Sequence, residues 1–138
     1  MRNAMTVMDI NQEIVRFCRE YLRQETQATI RPSEFRVLGL ICSGVNVPME
    51  LATQMNVSRP MIAGIINALV SAGHAVRVPS PDDGRSVWVL PTNQGRAVYR
   101  QTADQVKDRI HKVIDRIGQK KFDAFMTQIR QISQILAE

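Results

Sequence analysis

The chain has 138 residues, of which 44% are hydrophobic and 22% charged, and its formal net charge is +5. That length suits one ordinary domain rather than two, and no apolar run approaches the roughly 20 residues that span a bilayer. A membrane protein is thereby set aside, and a pI near 9.8 points to an acidic partner such as nucleic acid, depending on where the charge is concentrated.

The N-terminal stretch MRNAMTVMDINQEIVRFCRE carries one early Arg, and Asp9 and Gln12 interrupt the apolar run that a secretory signal needs. A cytoplasmic protein is expected. Ile10, Ile14, Phe17, Cys18 and Tyr21 recur at helical spacing with Arg16, Arg19, Glu20 and Arg23 between them, which predicts a first amphipathic helix. RPSEFRVLGLI supplies a second, with Ser33 as the expected N-cap after Pro32 and an apolar face through Phe35, Val37, Leu38 and Ile41. The segment Cys42 to Val47, containing Gly44, breaks it. VPMELATQMN predicts a third, short helix with Pro48 near its first turn, a face of Leu51, Ala52 and Met55, and an end at Asn56. Cys18 and Cys42 form neither a disulfide framework nor a zinc ligand set, and their apolar surroundings predict two buried thiols.

After a single spacer, Val57, Ser58 is placed to cap a fourth helix, RPMIAGIINALVSAGH, with Pro60 tolerated in its first turn and Gly73 as its stop. Two helices joined this tightly form a helix-turn-helix, a pattern shared with bundles that bind nothing. The next stretch, HAVRVPSPDDGRSVWVLP, decides between them. Its two arms, Ala75 to Val78 and Val87 to Leu90, are strands too short to form a stable sheet alone. They must lean on the helices, and a helix-turn-helix followed at once by such a ribbon is a winged helix. In that arrangement one helix enters the major groove and the ribbon tip reaches the flanking backbone or minor groove.

From Thr92 a long helix carries Val98, Thr102, Val106, Ile110, Val113, Ile114 and Ile117 on one side. Beyond a break at Gly118, KFDAFMTQIRQISQILAE repeats the pattern with Phe122, Phe125, Met126, Ile129, Ile132 and Leu136. This is more apolar face than a small winged helix covers, so a partner subunit is the economical explanation, with a self-contained monomeric bundle as the alternative. The expected fold class is mainly α with a small β-ribbon wing, an α+β winged helix. Residues 1–31 would form an N-terminal dimerisation helix, 32–91 the winged helix-turn-helix core, and 92–138 the long and C-terminal helices for dimerisation, one structural domain overall.

The ordered set of an LA helix, VS before the recognition helix, Leu and then Gly at its end, Arg77, the DDGRS wing, and Thr92 with Gly95 resembles the winged-helix core of the MarR family of bacterial transcription regulators. The resemblance covers Pro32 to roughly Tyr99. It implies an obligate homodimer built from the N- and C-terminal helices, a double-stranded DNA partner, no cofactor, and in many members a ligand cleft between the dimer and DNA-binding lobes. A small aromatic or phenolic effector in that cleft would disturb the spacing of about 34 Å between recognition helices that two-fold symmetry on B-DNA requires.

On this reading Ser58 caps the recognition helix and presents its first amides to a phosphate, while Arg59 is the candidate for a bidentate guanine contact. Pro60, Ala63 and Gly64 line the reading face, where small residues allow close backbone approach or a thymine-methyl contact. Asn67, two turns on, either faces DNA or has a solvated or structural role. Arg85 reaches the minor groove or backbone from the wing tip, with Asp83 orienting it or pairing with Arg77. Ser33 and Ser86 complete the candidate DNA-binding set. In the plainer alternative, Arg77, Asp83 and Arg85 only brace the turn.

The chain departs from the family where relatives commonly show a polar residue followed by a basic one, because it has Ala63 and Gly64 there. From Pro48 to Pro91, Arg59, Arg77 and Arg85 are matched by Glu50, Asp82 and Asp83, so the winged helix carries no net charge. From Thr92 to Lys121, eight basic residues (Arg96, Arg100, Lys107, Arg109, Lys112, Arg116, Lys120, Lys121) oppose three acidic ones (Asp104, Asp108, Asp115), an excess of five. A second function is therefore carried forward: a dimer that keeps the fold but has weakened DNA binding and works mainly on a small molecule or protein. An enzyme is not expected. His74 and His111 lack a Cys or carboxylate at catalytic spacing, the Asp108, His111 and Asp115 cluster suits a solvated helix better than a metal, and no phosphate loop or nucleophile motif appears. Cys18, beside Arg16, Arg19 and Tyr21, is a candidate redox residue through its loose likeness to the oxidation-sensing branch of the family.

Overall fold

The computed structural model describes residues 4–23 and 30–138. The chain forms two compact units, one ending at Val98 and one running from Tyr99 to Glu138.

In the first unit, α1 spans Val7–Tyr21 and starts almost a turn before the apolar spacing predicts. Local chemistry explains the difference. Thr6 Oγ1 accepts from the Asp9 N–H at 3.1 Å while the Asp9 carboxylate accepts from the Thr6 N–H at 2.9 Å, a reciprocal cap. The Thr6 hydroxyl also donates to the Asp9 carboxylate at 2.7 Å, and this bond first, with that of the Thr6 N–H second, holds the Asp9 carboxyl below its usual value. No residue of α1 is buried.

Helix α2 spans Pro32–Cys42, α3 Pro48–Met55 and α4 Arg59–Ser71; strands β1 (Ala75–Pro79) and β2 (Val87–Pro91) follow, and then α5 begins at Asn93. Ser33 is not the cap of α2. Pro32 already occupies the first helical position, its missing N–H costing nothing there. The cap is therefore Arg31, whose N–H donates to Glu34 Oε2 at 2.6 Å. Asn56 ends α3 in the left-handed region, with φ of 54°, a conformation Asn tolerates better than most residues. Gly73, with φ of 80°, turns the chain out of α4.

The core of this unit is closed by its own residues. Val37, Leu38 and Ile41 of α2, Leu51 and Met55 of α3, Ile62, Ile66 and Leu69 of α4, and Val89 of β2 are all buried. The ribbon is antiparallel, with Arg77 opposite Val89 and Val78 opposite Trp88. Asn46, in the α2–α3 connection, anchors it: its Nδ2 donates to the Val89 carbonyl and its own carbonyl accepts from the Val89 N–H, both at 2.9 Å. Two strands too short to stand alone thus gain a third backbone partner. At the end of α4, Thr92 Oγ1 donates to the Gly73 carbonyl at 2.6 Å and accepts from the Gly95 N–H at 2.9 Å. A Cβ on Gly95 would lie 1.9 Å from the His74 carbonyl oxygen. Only glycine permits this approach. His74 itself is buried, and its Nδ1 has no hydrogen-bond partner.

In the second unit, α5 continues to Ile117 and α6 spans Gln119–Leu136. Gly118 separates them with φ of 89°, as the sequence predicts. Neither α6 nor the part of α5 in this unit buries a residue. Val113, Ile117, Phe125, Met126, Ile132 and Leu136 are exposed. Among the described residues, no helix is long and apolar enough to cross a membrane.

Candidate nucleic-acid interface

The turn between α3 and α4 is fixed by backbone chemistry. The Val57 N–H donates to the Ala52 carbonyl at 3.0 Å, and Ser58 follows in extended conformation, its Oγ accepting from the Met61 N–H at 3.2 Å. Ser58 is the N-cap that the sequence predicts. It does not leave a row of amides for a phosphate, however, because Pro60 has no N–H and the Met61 N–H is taken by Ser58. The Arg59 N–H remains an open donor in this first turn.

Helix α4 turns Ile62, Ile66 and Leu69 into the core and leaves Arg59, Pro60, Ala63, Gly64, Asn67 and Ala68 exposed. Nothing lies within 4 Å of where a Cβ on Gly64 would stand. Between α3, α4 and β1 is a cavity of about 250 Å³, with Met49, Ile62, Ala63 and Ile66 supplying apolar walls and Arg59 and Arg77 two guanidinium groups. Arg59 Nη2 approaches Met49 Sδ at 3.8 Å.

Arg77 points from β1 to α4, where its Nη2 donates to Asn67 Oδ1. The expected alternative partner, Asp83, is occupied elsewhere: its Oδ1 accepts from the Arg85 N–H at 3.0 Å and its carbonyl from the Ser86 N–H at 3.1 Å. Asp83 therefore shapes the tip and does not pair with Arg77. Ser80 closes the other side, its Oγ accepting from the N–H groups of Asp82 and Asp83 and its own N–H donating to the Ser86 carbonyl. Ser80 falls outside the site residues that the sequence singles out, although Ser ahead of two Asp residues is a turn signal. Arg85 is exposed on this closed tip.

The first unit thus brings Ser58, Arg59, Ala63, Gly64 and Asn67 onto one helix and joins that helix to the ribbon through Arg77. Ser33 lies on α2, half-buried, outside the helix pair and ribbon. Cys18 is exposed on α1 and Cys42 partly buried on α2, so the single chain does not bury the two thiols as expected. The apolar neighbours of Cys18 belong to a helix that buries nothing in the single chain. Beside it, the rings of Phe17 and Tyr21 stack with centroids 6.1 Å apart.

A profile described as MarR family matches residues 28–86. The multiple antibiotic resistance protein MarR of Escherichia coli K12 is 31% identical over 104 residues, covering 75% of this chain and 70% of its own. The HTH-type transcriptional regulator FarR of Neisseria gonorrhoeae is 26% identical over 110 residues, covering 79% of this chain and 75% of its own. Among solved structures, the transcriptional repressor CouR bound to a 23-mer DNA duplex superimposes with a TM-score of 0.80 at 24% identity. It covers 93% of this chain and 92% of the other. At that identity the structural likeness concerns the fold.

Proposed function

Because this chain belongs to the MarR family of winged helix-turn-helix transcription regulators, we propose that it is a homodimeric, ligand-responsive repressor that grips a roughly palindromic operator in the cytoplasm. Each subunit lays α4 in the major groove and its wing on the flanking backbone or minor groove. One observation carries the reading: a capped helix start with Arg59 exposed and a closed ribbon tip with Arg85 exposed belong to the same compact unit. Arg59 reads a guanine edge, Arg85 neutralises phosphate or enters the minor groove, and Ala63 and Gly64 permit close approach of the helix backbone. The exposed apolar faces of α1 and α6 are covered by the second copy.

Fluorescence anisotropy against the duplex upstream of the chain's own coding sequence, with a scrambled duplex beside it, tests this reading at low and near-physiological salt. The upstream duplex is expected to bind at least about a thousandfold more tightly, with Arg59→Ala or Arg85→Ala each weakening it by about 1–3 kcal/mol. Equal, weak binding of both duplexes even at low salt would defeat it.

The cavity between α3, α4 and β1 favours a second reading, in which a small aromatic or phenolic molecule is the main ligand and DNA binding is weak. Apolar walls with two guanidinium groups suit a compact amphipathic anion. Benzoate serves as a probe: saturable binding that Arg77→Gln abolishes, in a chain without operator preference, would favour this reading over the first.

A further inference from the structure

From Pro48 to Pro91 the chain has no net charge, yet none of the three guanidinium groups in that stretch meets a carboxylate. Arg59 approaches a thioether, Arg77 donates to a carboxamide, and Asp83 takes the main-chain N–H of Arg85 rather than its side chain. From this pattern we infer that Asn67 is a positioning residue for DNA contact. It fixes the Arg77 guanidinium beside the recognition helix through a neutral acceptor, so that the guanidinium is oriented while its charge stays available to a phosphate. The inference rests on the DNA-binding reading and sharpens it.

The physical argument lies in what replacing one atom would do. Arg carries five N–H donors, and a carboxamide oxygen engages only a part of them. An Asp at position 67 has the same shape and would hold Arg77 more firmly, because a bond between two charged groups is stronger than one to a neutral acceptor. If the contact existed only to brace the wing, Asp would serve as well or better. It would also cancel the charge of Arg77, one of only three cations between Pro48 and Pro91. Each phosphate a protein neutralises contributes about 0.9 to the slope of log affinity against log salt on B-DNA. A cancelled Arg77 is therefore visible in that slope, whereas a brace is not.

The experiment compares the full-length wild type with Asn67→Asp, Asn67→Leu, Arg77→Gln and the double variant Asn67→Asp/Arg77→Gln on the upstream duplex across several salt concentrations. Asn67→Asp is expected to bind about tenfold more weakly near physiological salt, with a slope shallower by about one per bound subunit, while its thermal midpoint is no lower than that of wild type. Arg77→Gln should show the same loss of slope, and the double variant no further loss. Asn67→Leu, which keeps the charge but cannot orient it, should lose affinity with its slope retained. Wild-type behaviour of Asn67→Asp in both affinity and slope, wild-type affinity of Asn67→Leu, or additive losses in the double variant would each overturn the inference. A wild-type chain that shows no preference for the upstream duplex removes the DNA-binding reading itself, a result distinct from any of these.

Discussion

In the winged helix, Val37, Leu38, Ile41, Leu51, Leu69 and Val89 are each exposed by 1% or less, whereas α1 and α6 bury no residue at all. Both regions are amphipathic, and both were built from the same kinds of side chain. The difference lies in what each face meets. Three short helices and a ribbon arrive at one another within a few dozen residues and close a core. The flanking helices carry apolar stripes that find no cover among the described residues of their own chain. Such stripes on a folded protein mark an interface, and when they recur on helices at both ends of one chain, a second copy is the simplest cover. The charge follows the same division, since the winged helix is neutral and the basic excess begins at Thr92.

The largest expected effect comes from attacking the flanks. Ile132 and Leu136 are 56% and 81% exposed in the single chain, so replacing both with Asp has little to disturb within it. If they are buried in a dimer, each contributes about 1.5–3 kcal/mol, and the dimer dissociation constant should rise at least about a hundredfold. Sedimentation equilibrium would show monomers at concentrations where wild type is dimeric, with the winged helix still folded by circular dichroism. A wild-type chain already monomeric at micromolar concentration, or an unchanged dimer in the variant, would end the distinction between a closed core and open flanks.

Attacking the winged helix should give the reverse pattern. Gly95→Ala places a methyl 1.9 Å from the backbone oxygen of His74, and backbone cannot swing aside as a side chain can. Overpacking of this kind costs typically about 1–3 kcal/mol and at times more. The thermal midpoint of the winged helix should fall by several degrees. An unchanged midpoint would mean that the junction of α4, β1 and α5 is looser than its hydrogen bonds indicate.

These two regions were also unequally legible in the sequence. Ser58, Asn56, Gly73 and Gly118 announce their roles because each is a residue type with few competing uses at a helix end. The ribbon differs from its predicted span only by the prolines Pro79 and Pro91 that close its strands. What escaped were contacts made by side chains with many uses. Asn46 could not be linked to Val89, 43 residues away, by any local pattern. Sequence alone leaves Asn67 between a DNA-facing and a structural role because its partner Arg77 comes from another element. Asp83 had two candidate partners, and the structure gives it main-chain N–H groups instead. Two misses were legible in principle: Pro32 at the first helical position identifies Arg31 as the cap, and Thr6 with Asp9 spells a capping box. The exposure of Cys18 was not, since burial of a face depends on what covers it.

The smallest expected effect divides the winged helix itself into the part that closes the core and the part proposed to read DNA. Gly64 lies on the exposed side of α4, where a Cβ would touch nothing within 4 Å. In a helix interior Ala is favoured over Gly by roughly 1 kcal/mol, so Gly64→Ala should raise the thermal midpoint by about 2–6 °C. Stability alone therefore argues for Ala at this position. If Gly64 instead lets the helix backbone approach a base pair closely, the added methyl meets DNA, and affinity for the upstream duplex should fall by about fivefold or more even as the protein becomes more stable. A rise in midpoint with unchanged affinity would assign Gly64 to a surface that touches nothing, moving the reading contact to Arg59 and the first turn. A rise in both would mean that the gain in helix order is itself passed on to binding, and that α4 is not fully ordered before DNA arrives.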